Sequence, residues 1–444
     1  VCSIASATTS TTSPESAPPY RYPVIPMQPT ITIRPLRPAV AGDASTTLDL
    51  LISIEPPQLP PELQKPQRPP LNLALVIDRS GSMAGEKLSH ARKAARSLAA
   101  ELTARDRLAI VSFDDEVQIV VPSRPVDSAL PFLQAINTIE AGSTTALFDG
   151  WLAGALQVAE HLDGASLNRV LLLSDGQANE GLTNAAAIAE KVAGLNQRGI
   201  STSAFGLGAG FDEDLMGAIA AAGDGTLAQI ESPTQLADLY ASELQGLATT
   251  SGRRVSIGIR PQHGAELVDV INDLTVTSAG NLQLPNLRQG QTLQVGLRLQ
   301  LPAWTPNQPI TGIHLAWDSP GIERRQEQRQ QLILPVLSAA ELRELDVDLD
   351  VAEQLALLQA SRDRRSVIDA LDRGDQGAAL ASLQSIDIEL AAMPQSSSIS
   401  HERQRLAEQR QLLASDRNLS RKRLRQDVLR SSLNVWDGTN TLED

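Results

Sequence analysis

Between residues 71 and 250 two kinds of apolar pattern take turns along the chain. LNLALVI (71–77) and NRVLLLS (168–174) are short, mainly apolar runs, as expected for strands covered on both faces. Over Glu86–Thr103 the pattern changes. Leu88, Ala91, Ala95, Leu98 and Leu102 recur at helical spacing and line one side of a helix. RLAIVSF (107–113) and VQIVV (117–121) lie close enough to form a hairpin, so one antiparallel edge strand is expected. Helices are predicted over 128–138, 147–161, 184–197, 212–222 and 234–248, with strands over 200–206 and 226–231. This alternation predicts a doubly wound, mostly parallel α/β sheet with helices on both faces.

Outside that region the period is two. Leu48, Leu50, Ile52 and Ile54 alternate along one stretch, Val255, Ile257 and Ile259 along another, and Leu293, Val295, Leu297, Leu299 and Leu301 along a third. We expect strands in 30–55 to pair with strands in 252–337 as a small β-sandwich. The α/β domain, 71–250, is then an insertion entered through the Pro-rich linker 56–70. Residues 1–29, rich in Ser, Thr, Ala and Pro, read as a disordered lead-in. Residues 338–444 read as helical. Val351, Leu355 and Leu358 mark a helix stopped by Gly374; Ala379, Leu383, Ile386 and Leu390 mark a second, ended by Pro394. A third is expected over 401–430, capped by Ser400. Its basic cluster Arg421, Lys422, Arg423 and Arg425 reads as a solvated helix end, with a docking site for acid as the alternative.

Charge and composition remove several functions. The 444 residues carry 38 Lys+Arg against 52 Asp+Glu, a net −14, which argues against nucleic acid as the main partner. The single cysteine, Cys2, excludes an internal disulfide framework and a Cys-rich zinc site. The five histidines are scattered, with no zinc-type pair. No apolar run is long enough for a transmembrane helix. The N-terminal stretch has neither the basic nor the apolar region of a signal peptide, so a cytoplasmic location is expected. Had a signal been removed upstream, Cys2 would mark a lipid anchor and a cell-envelope location.

Three segments carry candidate chemistry. DRSGS supplies Asp78, Ser80 and Ser82 directly after the strand 71–77. GSTTALFDG supplies Thr144 and Thr145 before a helix, and SDG supplies Asp175 directly after the strand 168–174. In a doubly wound sheet all three fall at the carboxyl ends of the strands, the edge where ligands bind. Hydroxyl and carboxylate oxygens are hard ligands, suited to Mg²⁺, Mn²⁺ or Ca²⁺. The Ser-x-Ser spacing lets two hydroxyls from one tight loop converge on an ion, with Gly81 between them relieving the crowding. Taken singly, each residue would serve as well as a helix N-cap.

These residues resemble the metal ion-dependent adhesion site of the von Willebrand factor type A (VWA) domain, in its bacterial form. LALVIDRSGSM, LLLSDGQANEG and FGLGAGFDEDLMGAIAAAGDG carry the likeness over about residues 70–250. The resemblance implies a Rossmann-like domain and a metal set of Asp78, Ser80, Ser82, Thr145 and Asp175. Thr144 stays open as the alternative to Thr145. It also implies a bound divalent cation (Mg²⁺ first, Mn²⁺ or Ca²⁺ otherwise) with one position left for an Asp or Glu carboxylate of a partner protein. Two settings fit: a cytoplasmic scaffold serving a partner ATPase, or adhesion at the cell envelope. Movement of the last helix of the domain, 234–248, would couple the site to the following β region.

An enzyme is the less favoured reading. RSGSMAG is not the Gly-x-Ser-x-Gly of a serine hydrolase, and there is no P-loop. In GLGAG (206–210) the third glycine is out of register for a dinucleotide fingerprint and Phe211 follows, so the segment reads as a tight turn. A metal-dependent hydrolase is the remaining enzymatic alternative.

Overall fold

The computed structural model describes residues 28–57, 69–175, 178–207, 211–230, 243, 246, 249–272, 274–277, 279–319, 322, 324–415 and 417–432. The expected lead-in, most of the linker 56–70, most of the helix 234–248 and most of the GLGAG turn lie outside the described residues.

The chain opens with β1 (Thr30–Pro35), β2 (Val40–Ala41) and β3 (Thr46–Glu55). The α/β domain follows as β4 (Leu71–Asp78), α1 (Glu86–Glu101), β5 (Arg107–Phe113), β6 (Val117–Pro125), α2 (Leu130–Asn137) and α3 (Leu147–Ala159). It continues with β7 (Leu167–Ser174), α4 (Ala185–Asn196), β8 (Ile200–Leu207), α5 (Glu213–Ala222) and β9 (Leu227–Ile230). Its sheet has the order β6-β5-β4-β7-β8-β9, with β6 antiparallel and the other strands parallel. Along β4, Leu71, Leu73, Leu75 and Ile77 join the core under α1 and α2, while Ala74 and Val76 join the core under α3, α4 and α5. Two covered faces are why the strand is apolar at nearly every position. Gly154 of α3 lets that helix close onto the sheet, since a Cβ there would sit 2.3 Å from Val76 Cγ2.

The chain then forms β10 (Thr250–Pro261), β11 (Glu266–Val270), β12 (Leu282–Gln283), β13 (Leu287–Arg288), β14 (Leu293–Leu301), β15 (Thr311–Asp318), β16 (Gln326–Leu332) and β17 (Val336–Leu337). One sheet has the order β1-β3-β14-β11 and faces a second, β12-β10-β15-β16, with β13 also on β10. Ile54, Ile52, Leu50 and Leu48 stand opposite Leu293, Val295, Leu297 and Leu299. Their inward side chains meet Val255, Ile257, Leu315 and Trp317 of the other sheet. The pairing of β3 with β14 brackets the α/β domain between two strands of one sheet.

Five helices end the described chain: α6 (Ala339–Glu344), α7 (Leu349–Asp372), α8 (Gln376–Ala391), α9 (Ser397–Ser415) and α10 (Arg417–Ser432). The start of α7 is fastened to the sandwich. Val351, Leu355 and Leu358 pack with Leu51 and Ile271, and Arg34 donates to both oxygens of Asp348 at 2.7 and 2.6 Å. Two expectations need correction. Ser400 is not a cap: α9 starts at Ser397, and Ser396 Oγ accepts the Ile399 amide at 3.0 Å. The single helix expected over 401–430 is two helices, α9 and α10.

Of the basic cluster on α10, Arg421, Lys422 and Arg425 do not form a solvated helix end, while Arg423 is exposed. Arg421 pairs with Glu213 and Asp372, and with Asp214 at 2.9 Å. Arg425 reaches Asp214 at 2.5 Å and Asp372 at 3.2 Å. Lys422 donates to Phe211 O at 3.2 Å, with its ammonium 5.0 Å from the centre of the Phe211 ring. The acids that dock here belong to the chain itself: Glu213 and Asp214 begin α5, and Asp372 ends α7. Among the described residues no helix is long and apolar enough to cross a membrane.

Candidate functional site

Asp78 is the last residue of β4, and Asp175 follows the last residue of β7, so adjacent parallel strands deliver both carboxylates to one edge. Asp78 is fully buried. Its Oδ1 accepts the Ser80 amide at 2.8 Å, and its Oδ2 accepts the Ser174 hydroxyl. Burial pushes its carboxyl above the ordinary carboxylate range; the bonds from Ser174 and Ser80 pull it down, and the Asp175 charge adds to the rise.

The chain leaves β4 into a tight 3-10 turn, Gly81–Met83, closed by the Met83 amide on Ser80 O at 2.9 Å. Met83 anchors this turn in the core beneath. The buried Ser80 and the exposed Ser82 bring their Oγ atoms within 3.1 Å. A second loop is fastened alongside. The Gly81 amide donates to Ser143 O at 2.8 Å, and the Gly142 amide to Arg79 O at 2.7 Å. Gly142 lies so close to Asp114 that a Cβ would fall 1.6 Å from Asp114 Oδ2. Arg79 in turn holds Asp114 Oδ1 at 2.7 Å.

That second loop carries the two threonines, and they differ. Thr144 is exposed and its hydroxyl donates to Glu180. Thr145 is buried and held through its backbone. Its amide donates to Asn179 Oδ1 at 2.9 Å, and its carbonyl accepts the amides of Asn179 and Glu180 at 3.2 and 3.3 Å. Its hydroxyl makes no hydrogen bond among the described residues. Asp175 is buried with its oxygens unequally engaged: Oδ2 pairs with Lys87 Nζ at 2.9 Å, while buried Oδ1 has no hydrogen-bond partner among the described residues.

The edge therefore brings Asp78, Ser80, Ser82 and Asp175 together, with Thr145 on the loop fastened beside them. The helix-cap reading fails here. The residues preceding α1 and α3 are Gly85 and Ala146, and neither makes a side-chain capping bond. Sequence reasoning did not single out Asp114, Asn179, Glu180 or Lys87. Asp114 follows β5 as Asp175 follows β7, so strand-end position was a usable signal. The other three depend on contacts that only the folded loops create.

An ion at this edge would meet an all-oxygen donor set with one buried carboxylate oxygen free to accept it, a fit for a hard divalent cation. Among the described residues no group of three or more His, Cys, Asp or Glu suits a metal, so hydroxyls would complete the set.

Comparison with known proteins gives the domain its family. Residues 72–242 match the family model of the von Willebrand factor type A domain, and the chain carries such a domain. An uncharacterised protein of the bacterium Synechocystis sp. is 26% identical over 331 residues, covering 72% of this chain and 78% of that protein. Human inter-alpha-trypsin inhibitor heavy chain H4 is 31% identical over 155 residues, 32% of this chain but 16% of the heavy chain. Among solved structures, a von Willebrand factor type A protein from Catenulispora acidiphila superposes with a TM-score of 0.65 at 15% identity, covering 93% of this chain and 98% of that one. The ArnB paralog VWA2 from Sulfolobus acidocaldarius gives 0.61 at 15% identity, covering 91% and 98%. At these identities the likeness is one of fold, and it extends over the sandwich and the helices as well as the α/β domain.

Proposed function

We propose that the von Willebrand factor type A domain of this chain is a divalent-cation-dependent binding module, and that its ion receives an Asp or Glu carboxylate from a partner protein. Domains of this type mediate protein–protein interaction and are generally not enzymes. The observation that carries the reading is the buried Asp175 Oδ1, which has no hydrogen-bond partner among the described residues, at the same sheet edge as the paired hydroxyls of Ser80 and Ser82. A buried carboxylate oxygen without a partner costs about 1–3 kcal/mol or more, and an ion removes that penalty.

Ser80, Ser82 and Thr145 would offer hydroxyl oxygens, and Asp78 and Asp175 carboxylates, directly or through water. Mg²⁺ is the first choice of ion, with Mn²⁺ and Ca²⁺ as alternatives. The bound ion would supply a Lewis-acidic position for the partner's carboxylate. For the partner there are two settings: an ATPase that the chain scaffolds, or a ligand at the cell envelope.

Titration of the full chain with Mg²⁺, Mn²⁺ and Ca²⁺ by calorimetry tests the ion site. Saturable binding that disappears in Asp78→Ala supports the module; identical titrations for the two proteins would remove it. A pull-down with and without chelator then tests the partner class. A chelator-sensitive envelope protein in place of an ATPase would change the setting to adhesion.

A further inference from the structure

The opposite edge of the same sheet holds a cleft that the metal edge does not use. It opens where the turns entering β7, β8 and β9 meet the sandwich, has a volume of about 380 Å³, and is lined from both sides. Asp163, Asn168, Arg198, Ser201 and Asp224 are among the lining residues from the α/β domain; Arg253, Arg254, Asn286, Asp318 and Arg325 come from the sandwich region.

Four arginines and three aspartates line this cleft, and the aspartates are already engaged. Asp318 accepts from both Arg254 and Arg325. Asp163 accepts the amides of Ala165 and Ser166 and the Ser166 hydroxyl. Asp224 is hydrogen-bonded to Asn286, with Arg169 and Arg288 close by. One net positive charge is left over in the lining; Asp318 and Asp163 act on Arg253, and Arg198 is the arginine farthest from compensation. Arg198 is exposed, and its guanidinium has no partner among the described residues. Arg253 donates to Ser166 O at 2.7 Å and Gly164 O at 2.8 Å, but its Nε is buried with no hydrogen-bond partner among the described residues. Asn286 is buried, and its Oδ1 likewise has no partner among the described residues. The cleft thus offers unused donors on two guanidiniums and an unused acceptor on one amide.

We propose that this cleft binds a small phosphorylated polyol, with its phosphate on Arg198 and Arg253 and a hydroxyl donated to Asn286 Oδ1. Guanidinium groups match a tetrahedral oxyanion in both charge and hydrogen-bond geometry. The volume is at the lower end for small-molecule sites, and no aromatic side chain lines it among the described residues, so these offer a stacked nucleobase no platform. The ligand would touch both sides of the cleft and so bridge the α/β domain to the sandwich.

Calorimetry on the full chain at fixed ionic strength, with glycerol 3-phosphate, inorganic phosphate and glycerol as probes, decides this. Glycerol 3-phosphate is expected to bind saturably and more tightly than inorganic phosphate, with glycerol silent. Arg198→Gln, a change at an exposed residue, should weaken binding about tenfold. Asp224→Asn removes a negative charge from the lining and should tighten it several-fold. Asp78→Ala at the far edge should leave it unchanged, so this result stands apart from the fate of the metal site. The proposal is overturned if wild type shows no saturable binding of either phosphate. It is equally overturned if Arg198→Gln and Asp224→Asn both leave the affinity where it was. Equal affinity for the two phosphates would overturn the polyol assignment.

Discussion

The Lys87 ammonium stands 2.9 Å from Asp175 Oδ2, so helix α1 places a cation against one oxygen of the carboxylate whose other oxygen has no partner among the described residues. Lys87 is part-exposed and Asp175 is buried, so the pair spans the rim of the proposed ion site. A fixed cation there repels a divalent ion. Lys87→Met is therefore expected to tighten Mn²⁺ binding about threefold to tenfold, the equivalent of about 1 kcal/mol of screened repulsion. Calorimetric titration of both proteins checks this, and weaker binding in the variant would show instead that Lys87 orders Asp175 for the ion.

The two threonines should separate cleanly. Thr145 is buried with an uncommitted hydroxyl, while the Thr144 hydroxyl donates to Glu180. Thr145→Ala should reduce Mn²⁺ affinity more than about tenfold, a loss of about 1.4 kcal/mol or more. Thr144→Ala should stay near wild type. The reverse order would move the ligand assignment by one residue.

Asp224 gives a pH signature in stability. Burial raises its carboxyl from the ordinary 3.8 to about 6, opposed by Arg169, by Arg288 and by the hydrogen bond from Asn286. The fold thus favours the protonated form. Its contribution is full below the unfolded value near 4 and is lost as pH rises through about 6. Asp224→Asn should therefore match wild type at pH 4 and be more stable by about 1–3 kcal/mol above pH 7. Asparagine also suits the backbone, since Asp224 has φ 50°. Urea unfolding of both proteins across this pH range provides the check; parallel curves would contradict it.

The clamp between α10 and α5 predicts coupling across 208 residues of chain. Arg421 and Glu213 are both largely shielded from solvent, with side-chain exposures of 19% and 12%. A double-mutant cycle with Arg421→Ala and Glu213→Ala should return a coupling of about 1–3 kcal/mol. A value indistinguishable from zero would mean that the neighbouring Asp214 and Asp372 replace the lost partner.

Gly142 is expected to tolerate no side chain. Its absent Cβ is filled by Asp114, which Arg79 holds in place. Gly142→Ala should push the 142–145 loop from the Gly81–Ser143 contact, lowering stability by about 1–3 kcal/mol and weakening Mn²⁺ binding. Melting temperature and ion titration on the same preparation would report both effects.

Much of the fold is legible because burial leaves a period in the residues themselves. A strand covered on both faces, such as 71–77, is apolar almost throughout. A half-covered strand, such as 48–54, alternates. A helix on a sheet, such as 86–101, shows a stripe. Each pattern is local, so each can be read without knowing what lies opposite. The candidate ligands are legible for a related reason: strand ends in an α/β sheet all fall on one edge, so Asp78 and Asp175 can be placed before any contact is known.

Contacts between distant segments leave no such period. Alternation leads us to expect the region 30–55 beside 252–337, but that β3 takes β14 in particular depends on which of several alternating stretches pack best, and nothing within either strand names the other. The basic run on α10 has the same composition whether it faces water or the acids of α5 and α7. The engagement of Thr144 by Glu180, which distinguishes it from Thr145, exists only once two loops have met. By itself the sequence determined most of the elements, the layers and the edge on which the candidate oxygen ligands fall, because those follow from local burial and strand order. Only the tertiary structure decided which charges are neutralised and which buried oxygens are left unengaged, because a charge has no fixed partner until the chain has closed around it.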